Sequence, residues 1–237
     1  MFGTNASVRL NGMAESTYNR RERPAKPALT RDGIVATALD VMRAEGMDKV
    51  TMRRLAKELD TGPASLYVYV KDTEELRAAM LDELLGEVDL APGHVGDWRE
   101  RLFTVIASYQ RVLHDNPSLA RVALVTRLSG PKYLAVVEAV LGRLAEGGMP
   151  KAQAGWAVDA LLLVATASAV EHGTHSENPG ALAADHELLE RVVAGAPADT
   201  YPNIAAHSEE LLAGPVTNRA RWMFDVLISG ALTTPIP

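Results

Sequence analysis

Apolar side chains along this chain recur at helical spacing, and the sharpest instance lies between residues 51 and 76. Met52, Leu55, Ala56 and Leu59 stand at i, i+3, i+4 and i+7 behind Thr51, whose hydroxyl can cap the orphan amides of a helix start. Arg53, Arg54 and Lys57 fall between those positions, so all three cations are expected to point away from the core and to be free to meet a polyanion. Asp60, Thr61 and Gly62 supply turn chemistry, because Asp and Gly tolerate the left-handed backbone that reverses a chain in three residues. Pro63 then suits a first helical position, where its missing N–H costs nothing. The segment Pro63 to Tyr69 is too short to be a stable helix alone, so Leu66 and Val70 are expected to anchor it by packing. Asp72 and Glu75 have capping-box spacing, which predicts a further helix carrying Leu76, Met80, Leu84 and Val88. Two short helices, a tight turn and an immediate third helix form the layout of a helix-turn-helix.

Beyond Val88 the period stays helical and no run of alternating apolar residues stands out, so the whole chain is expected to be all-α. Asp97 and Glu100 cap a helix with Leu102, Val105, Ile106, Tyr109, Val112 and Leu113 on one side, ending near His114. Further helices are predicted from Pro117 to about Leu128, from Tyr133 to Leu144 with a stop at Gly147 and Gly148, and from Pro150 to about His172. Residues 173 to 214 read as the least regular part, with short apolar clusters around Leu188 to Val193 and at Leu211 and Leu212. A last helix from Pro215 to about Leu232 carries Val216, Ala220, Met223, Phe224, Leu227, Ile228 and Ala231, an apolar stripe broad enough to need a partner.

Composition adds constraints. At 237 residues and 47% hydrophobic content, the chain can bury a substantial core, split between a small and a larger domain. The absence of cysteine excludes disulfides and thiolate zinc sites, consistent with a reducing cytoplasm. The N-terminus lacks the apolar stretch of a signal peptide, and the most apolar segment, Ala160 to Val170, reads as too short to span a bilayer. The net charge of −6 is unevenly spread: residues 1–71 hold 12 Lys and Arg against 8 Asp and Glu, whereas residues 72–237 hold 12 against 22. A polyanion would therefore be drawn to one end and repelled by the other. Residues 1–27 show no periodicity and read as a flexible arm, with Arg20, Arg21, Arg23 and Lys26 clustered before the first helix; a tail of this kind either follows phosphates or is simply solvated.

The helix pair also carries chemistry suited to duplex DNA. Ser65, Tyr67, Tyr69 and Lys71 offer hydroxyls and an ammonium to phosphate oxygens, and Ala64 and Val68 offer small apolar surfaces to a thymine methyl. With a helix from Thr30 to Glu45 ending at Gly46, then VTMRRLAKEL and SLYVYVKDTEEL, the chain resembles the tetracycline repressor (TetR) family of transcription regulators. The resemblance implies that Arg53 reads a base, that Pro63, Ala64 and Val68 face the major groove, and that Thr51, Ser65, Tyr67, Tyr69 and Lys71 hold phosphates or a neighbouring base. Two positions depart from the family pattern: Asp60 stands where glycine is usual, and Thr73 where a phosphate-binding lysine often sits. The implied organisation is an arm (1–27), a helix-turn-helix domain (28–74) and a regulatory and dimerisation domain (75–237).

The resemblance extends through Trp98 to Arg127, which looks like the regulatory domain of tetracycline repressors. Asp89 and Ala123 stand where those repressors place histidines, and Val105 where they place a drug-binding asparagine, so a metal-chelated tetracycline is not the expected effector. Candidate residues for some other small molecule are Val105, Tyr109, Ala123, Thr126, Arg127 and Trp156; core packing is the alternative for Val105, Tyr109 and Trp156, and helix capping for Arg127. No cofactor is implied. A metal site from Glu171, His172, His175, Asp185 and His186 is not expected, because a helix end at Gly173 would separate the imidazoles. The family also implies a homodimer through residues 152–171 and 215–231, presenting two reading helices to a pseudo-palindromic operator. No phosphate loop or nucleophile elbow supports an enzyme. The expected function is a DNA-binding regulator, most often a repressor in this family, released by a small molecule; the alternative is one that answers to a protein partner or acts constitutively.

Overall fold

The computed structural model describes residues 28–91, 93, 96–126, 128–176 and 179–237 of the chain. Among them the fold is built from twelve α-helices and a 3-10 turn. The N-terminal part comprises α1 (Arg31–Glu45), a 3-10 turn (Met47–Lys49), α2 (Met52–Glu58), α3 (Pro63–Leu66) and α4 (Thr73–Leu85). Local caps set these boundaries. The Thr30 hydroxyl accepts the Gly33 amide at the start of α1, Thr51 accepts that of Arg54 before α2, and Asp72 accepts that of Glu75 before α4. Gly46, at φ 90, ends α1 in a backbone region that L side chains avoid. The turn between α2 and α3 uses Asp60 at φ 49, so the aspartate takes the left-handed conformation that a glycine commonly supplies there.

The body follows as α5 (Trp98–His114), α6 (Pro117–Val125), α7 (Pro131–Glu146), α8 (Lys151–Ser176), α9 (Pro179–Ala194), α10 (Pro202–Ala206), α11 (Ser208–Leu212) and α12 (Val216–Thr233). α8 is its axis, packed by α5, α6, α7 and α12. α4 runs from the N-terminal part into the body and packs on α6 and α7, so the buried apolar residues of both, Val193 of α9 apart, form one cluster from Ile34 to Ile228.

Several sequence expectations change here. α6 stops at Val125, short of Leu128, because Thr126 turns to an extended conformation. α8 does not end near Gly173 but continues to Ser176. Gly173 serves close approach instead: a Cβ there would lie 3.1 Å from the Pro117 side chain and 3.3 Å from the His114 carbonyl, at the α5–α6 corner. The stretch read as irregular contains the sixteen-residue α9, packed on α8, and two short helices packed on α9. The Arg219 guanidinium fastens their far end by donating to the carbonyls of Glu210, Leu211 and Ala213. Within α8, Lys151–Gly173 is long and apolar enough to cross a membrane by length and composition, with a mean hydropathy of 1.4, which the shorter Ala160–Val170 reading missed. Leu161, Leu162, Ala165 and Ala169 of that stretch are buried against neighbouring helices, as in the central helix of a bundle.

Candidate nucleic-acid interface and ligand cavity

The candidate reading surface is built on two anchors. Leu66 and Val70 are fully buried, and the amides of Tyr69 and Val70 both donate to the Leu66 carbonyl, at 2.9 and 3.0 Å. The helix predicted over Pro63 to Tyr69 is therefore one α-turn followed by a tightened turn, held by the head's core and not by its own length. That geometry turns Tyr67, Val68 and Tyr69 outward, at 52%, 79% and 39% exposure. Thr51, Arg53, Pro63, Ala64, Ser65 and Lys71 are exposed as well, so all nine sequence candidates lie at the surface of one helix pair. Thr51 can do two jobs: its oxygen accepts the Arg54 amide at 3.1 Å, which leaves its O–H to donate outward. The Lys71 backbone is fixed by its amide, which donates to Glu75 Oε2 at 2.8 Å, while the ammonium has no ion pair among the described residues.

The expectation of three outward cations holds for Arg53 and Lys57 in exposure but fails for Arg54. Arg54 bonds Glu45 at 2.6 Å and Glu58 at 2.7 Å, tying α2 to the end of α1. The hydrogen bond from Arg54 holds the Glu45 carboxyl below the usual carboxylate range, and both partners raise the Arg54 guanidinium further above its ordinary value. The basic arm of residues 1–27 lies outside the described residues.

A second candidate site is a cavity of about 400 Å³ bounded by α5, α6, α7 and α8. Three sequence candidates line it, Tyr109, Ala123 and Thr126, together with Leu124, Val125, Leu128, Tyr133, Asp159, Leu162, Leu163 and Thr166. Tyr109 and Thr166 bond at 2.8 Å, and the Thr166 hydroxyl also donates to the Leu162 carbonyl at 2.7 Å. Since Thr166 has one proton and gives it to Leu162, Tyr109 is the donor of the pair, and its oxygen keeps lone pairs for a guest. Burial pushes the Tyr109 phenol up to about 12, against the opposing effect of the Thr166 bond, so it stays protonated. Tyr133 is also raised, by burial first and then by the negative charge of Asp159.

The other ligand candidates do not join this cavity. Val105 is fully buried in the core, and Arg127 lies outside the described residues. Trp156, expected as core or as cavity wall, is 62% exposed and lines a separate apolar groove of about 540 Å³ between α8 and α12. A larger cavity, about 810 Å³, is a groove between α1, α4 and the start of α7 lined by Arg31, Asp32, Asp40, Arg43, Asp82, Glu83, Glu87 and Lys132. So many mixed charges suit water better than an organic guest, and the smaller cavity has the better chemistry for binding. His172 Nδ1 lies 2.7 Å from the Ser168 carbonyl of its own helix; the side chains of His175, Asp185 and His186 are outside the described residues, and no metal-holding cluster occurs among those described.

Comparison with known proteins places this geometry. The profile "Bacterial regulatory proteins, tetR family" matches residues 34–80, and "Tetracyclin repressor-like, C-terminal domain" matches residues 91–228. An HTH-type transcriptional regulator of Saccharopolyspora erythraea is 33% identical over 175 residues, 73% of this chain and 74% of that protein. Among solved structures, the Streptomyces protein SCO7704 is 53% identical with a TM-score of 0.75, over 90% of this chain and 98% of its own. The Streptomyces coelicolor TetR family protein ActR, in complex with actinorhodin, is 33% identical with a TM-score of 0.74, over 86% of this chain and 97% of its own. Together with the all-helical fold and its outward-facing helix pair, these matches show that the chain belongs to the tetR family of bacterial transcriptional regulators.

Proposed function

We propose that the protein is a cytoplasmic repressor that binds a pseudo-palindromic operator as a homodimer and releases it when a small molecule occupies the cavity of Tyr109 and Thr166. The observation that carries the DNA half is the sequence Leu66-Tyr67-Val68-Tyr69-Val70, in which two fully buried anchors flank three large side chains that are held out at the surface. Arg53 is assigned to a base edge, Pro63, Ala64 and Val68 to the groove wall, and Thr51, Ser65, Tyr67, Tyr69 and Lys71 to phosphates or a neighbouring base. Residues 28–74 act as the reading domain and 75–237 as the regulatory domain, with 1–27 as an arm. The α8 and α12 faces carrying Trp156, Leu163, Trp222 and Val226, all exposed, supply the subunit contact.

The cavity is supported as a binding site by its hydroxyl-rich floor, its leucine walls and the precedent of ActR, which was solved with actinorhodin. Its guest is a small organic molecule with hydrogen-bonding groups rather than a metal-chelated drug, since Ala123 offers no imidazole there. A guest that binds better to the form with misplaced heads shifts the population away from DNA. The test is a binding-site selection with purified protein, repeated with candidate small molecules. A palindromic consensus whose binding is relieved by one compound supports the reading, and the absence of any selected sequence overturns it. A selected sequence insensitive to every compound favours a regulator controlled by a protein partner or acting constitutively.

A further inference from the structure

α4 carries the reading head on its N-terminal side and ends against the start of α7, and the two helices exchange charge there. Asp82 of α4 accepts the amide of Tyr133 at 2.9 Å and, more weakly, that of Lys132 at 3.4 Å, so a carboxylate from another helix caps the first turn of α7. Gly130, the residue before α7, has no side chain of its own to do so, and Pro131 gives no amide. The approach is close: a Cβ on Gly130 would collide with the Asp82 carboxylate, so a side chain there must displace the cap. The return contact has the opposite sign. Lys132 brings its ammonium to the end of α4, where a Cβ on Gly86 would lie 3.3 Å from Lys132 Nζ and 3.1 Å from the Glu83 carbonyl oxygen. A carboxylate at one helix's positive end and an ammonium at the other's negative end reinforce one another.

We propose that Asp82 is a positioning residue: by capping α7 it fixes the pitch of α4, and with it the orientation of the head against the body. Tyr133, whose amide Asp82 holds, also lines the cavity, so the latch joins the cavity wall to the helix that carries the head. The proposal rests on the reading of the α2–α3 surface as the DNA-binding head, but its test uses neither DNA nor a ligand.

The chain has no cysteine, so Ala44→Cys at the exposed end of α1 and Arg111→Cys on the exposed side of α5 give two unique spin-label sites. Labelled chains are diluted into excess unlabelled protein, and the intrachain distance is measured by pulsed electron paramagnetic resonance. The Asp82 protein should give one narrow distance. Asp82→Ala should lower the ratio of latched to unlatched chains about five-fold, the equivalent of ~1 kcal/mol, and broaden the distribution. Asp82→Asn, which keeps an acceptor oxygen, should restore the narrow distance. Gly130→Ala should shift the mean distance in the Asp82 protein, yet leave it unmoved in the Asp82→Ala background, where the added methyl has room. Should Asp82→Ala lose its helical circular dichroism, the Asp82→Asn and Gly130→Ala measurements decide alone. Identical distributions in the parent and Gly130→Ala proteins, or a broadening in Asp82→Ala that Asp82→Asn fails to reverse, overturn the latch. Because these distances are read without DNA, a failure of the DNA reading would appear in the binding-site selection and leave them unchanged.

Discussion

Two neighbouring arginines illustrate how finely roles divide at the scale of a residue. Arg53 is exposed with no ion pair among the described residues, whereas Arg54 is held by Glu45 and Glu58. Arg53→Ala should cost about 1–3 kcal/mol of discrimination at one base pair per half-site, measured by competition among operator variants. Tyr67→Ala and Lys71→Ala should weaken all sequences alike, and Lys71→Ala should reduce the log–log salt slope by about one per half-site, or about two for the dimer. Arg54→Ala should lower the melting temperature without altering base preference. Glu45 has a depressed carboxyl, so its stabilising contribution is complete at neutral pH and disappears as the pH falls below its ordinary value of 4.5. The Arg54→Ala protein should therefore lose less stability on acidification than its parent. Tyr109 behaves in the opposite sense. Its phenol is raised, so its contribution is complete below the ordinary value of 10.0 and is lost as the pH climbs towards 12. In an absorbance titration of the tyrosinate band, Tyr109→Phe should remove the step near 12.

At the scale of elements, α3 depends on its anchors. Leu66→Ala should leave a cavity costing about 2–5 kcal/mol and release α3, seen as fast amide exchange at Tyr69 and Val70 and loss of DNA binding while the body stays folded. The starts of α1, α2, α4 and α5 were legible in the sequence because each cap is local: Thr30, Thr51, Asp72 and Asp97 each accept the amide three residues on. The ends were less legible. Gly173 reads as a stop in isolation, yet it lets α8 pass close to Pro117, a relation that exists only once distant segments have met. α9 escaped notice because Leu188, Leu189 and Val192 remain more than half exposed, so its apolar pattern does not mark a buried face.

The whole molecule sets the remaining properties. The nine candidate DNA-contact residues lie within a single segment of sequence, and that compactness let them be picked out together. The cavity is assembled from four helices: Tyr109, Ala123 and Thr126 could be picked out through family resemblance, but Tyr133, Asp159 and Thr166 come from α7 and α8 and are brought in by topology. Leu163→Glu, which places a charge in the exposed apolar face of α8, should reduce the light-scattering mass from that of a dimer to that of a single 25.5 kDa chain. α8 has one further consequence. Asp159 and Leu163 border the cavity, yet they belong to the same exposed strip as Trp156, so the space open to a guest and the ground available to a second subunit share a wall. In the proposed dimer occupancy and assembly are thermodynamically linked, and one compound titrated at nanomolar and at micromolar chain should return two different dissociation constants.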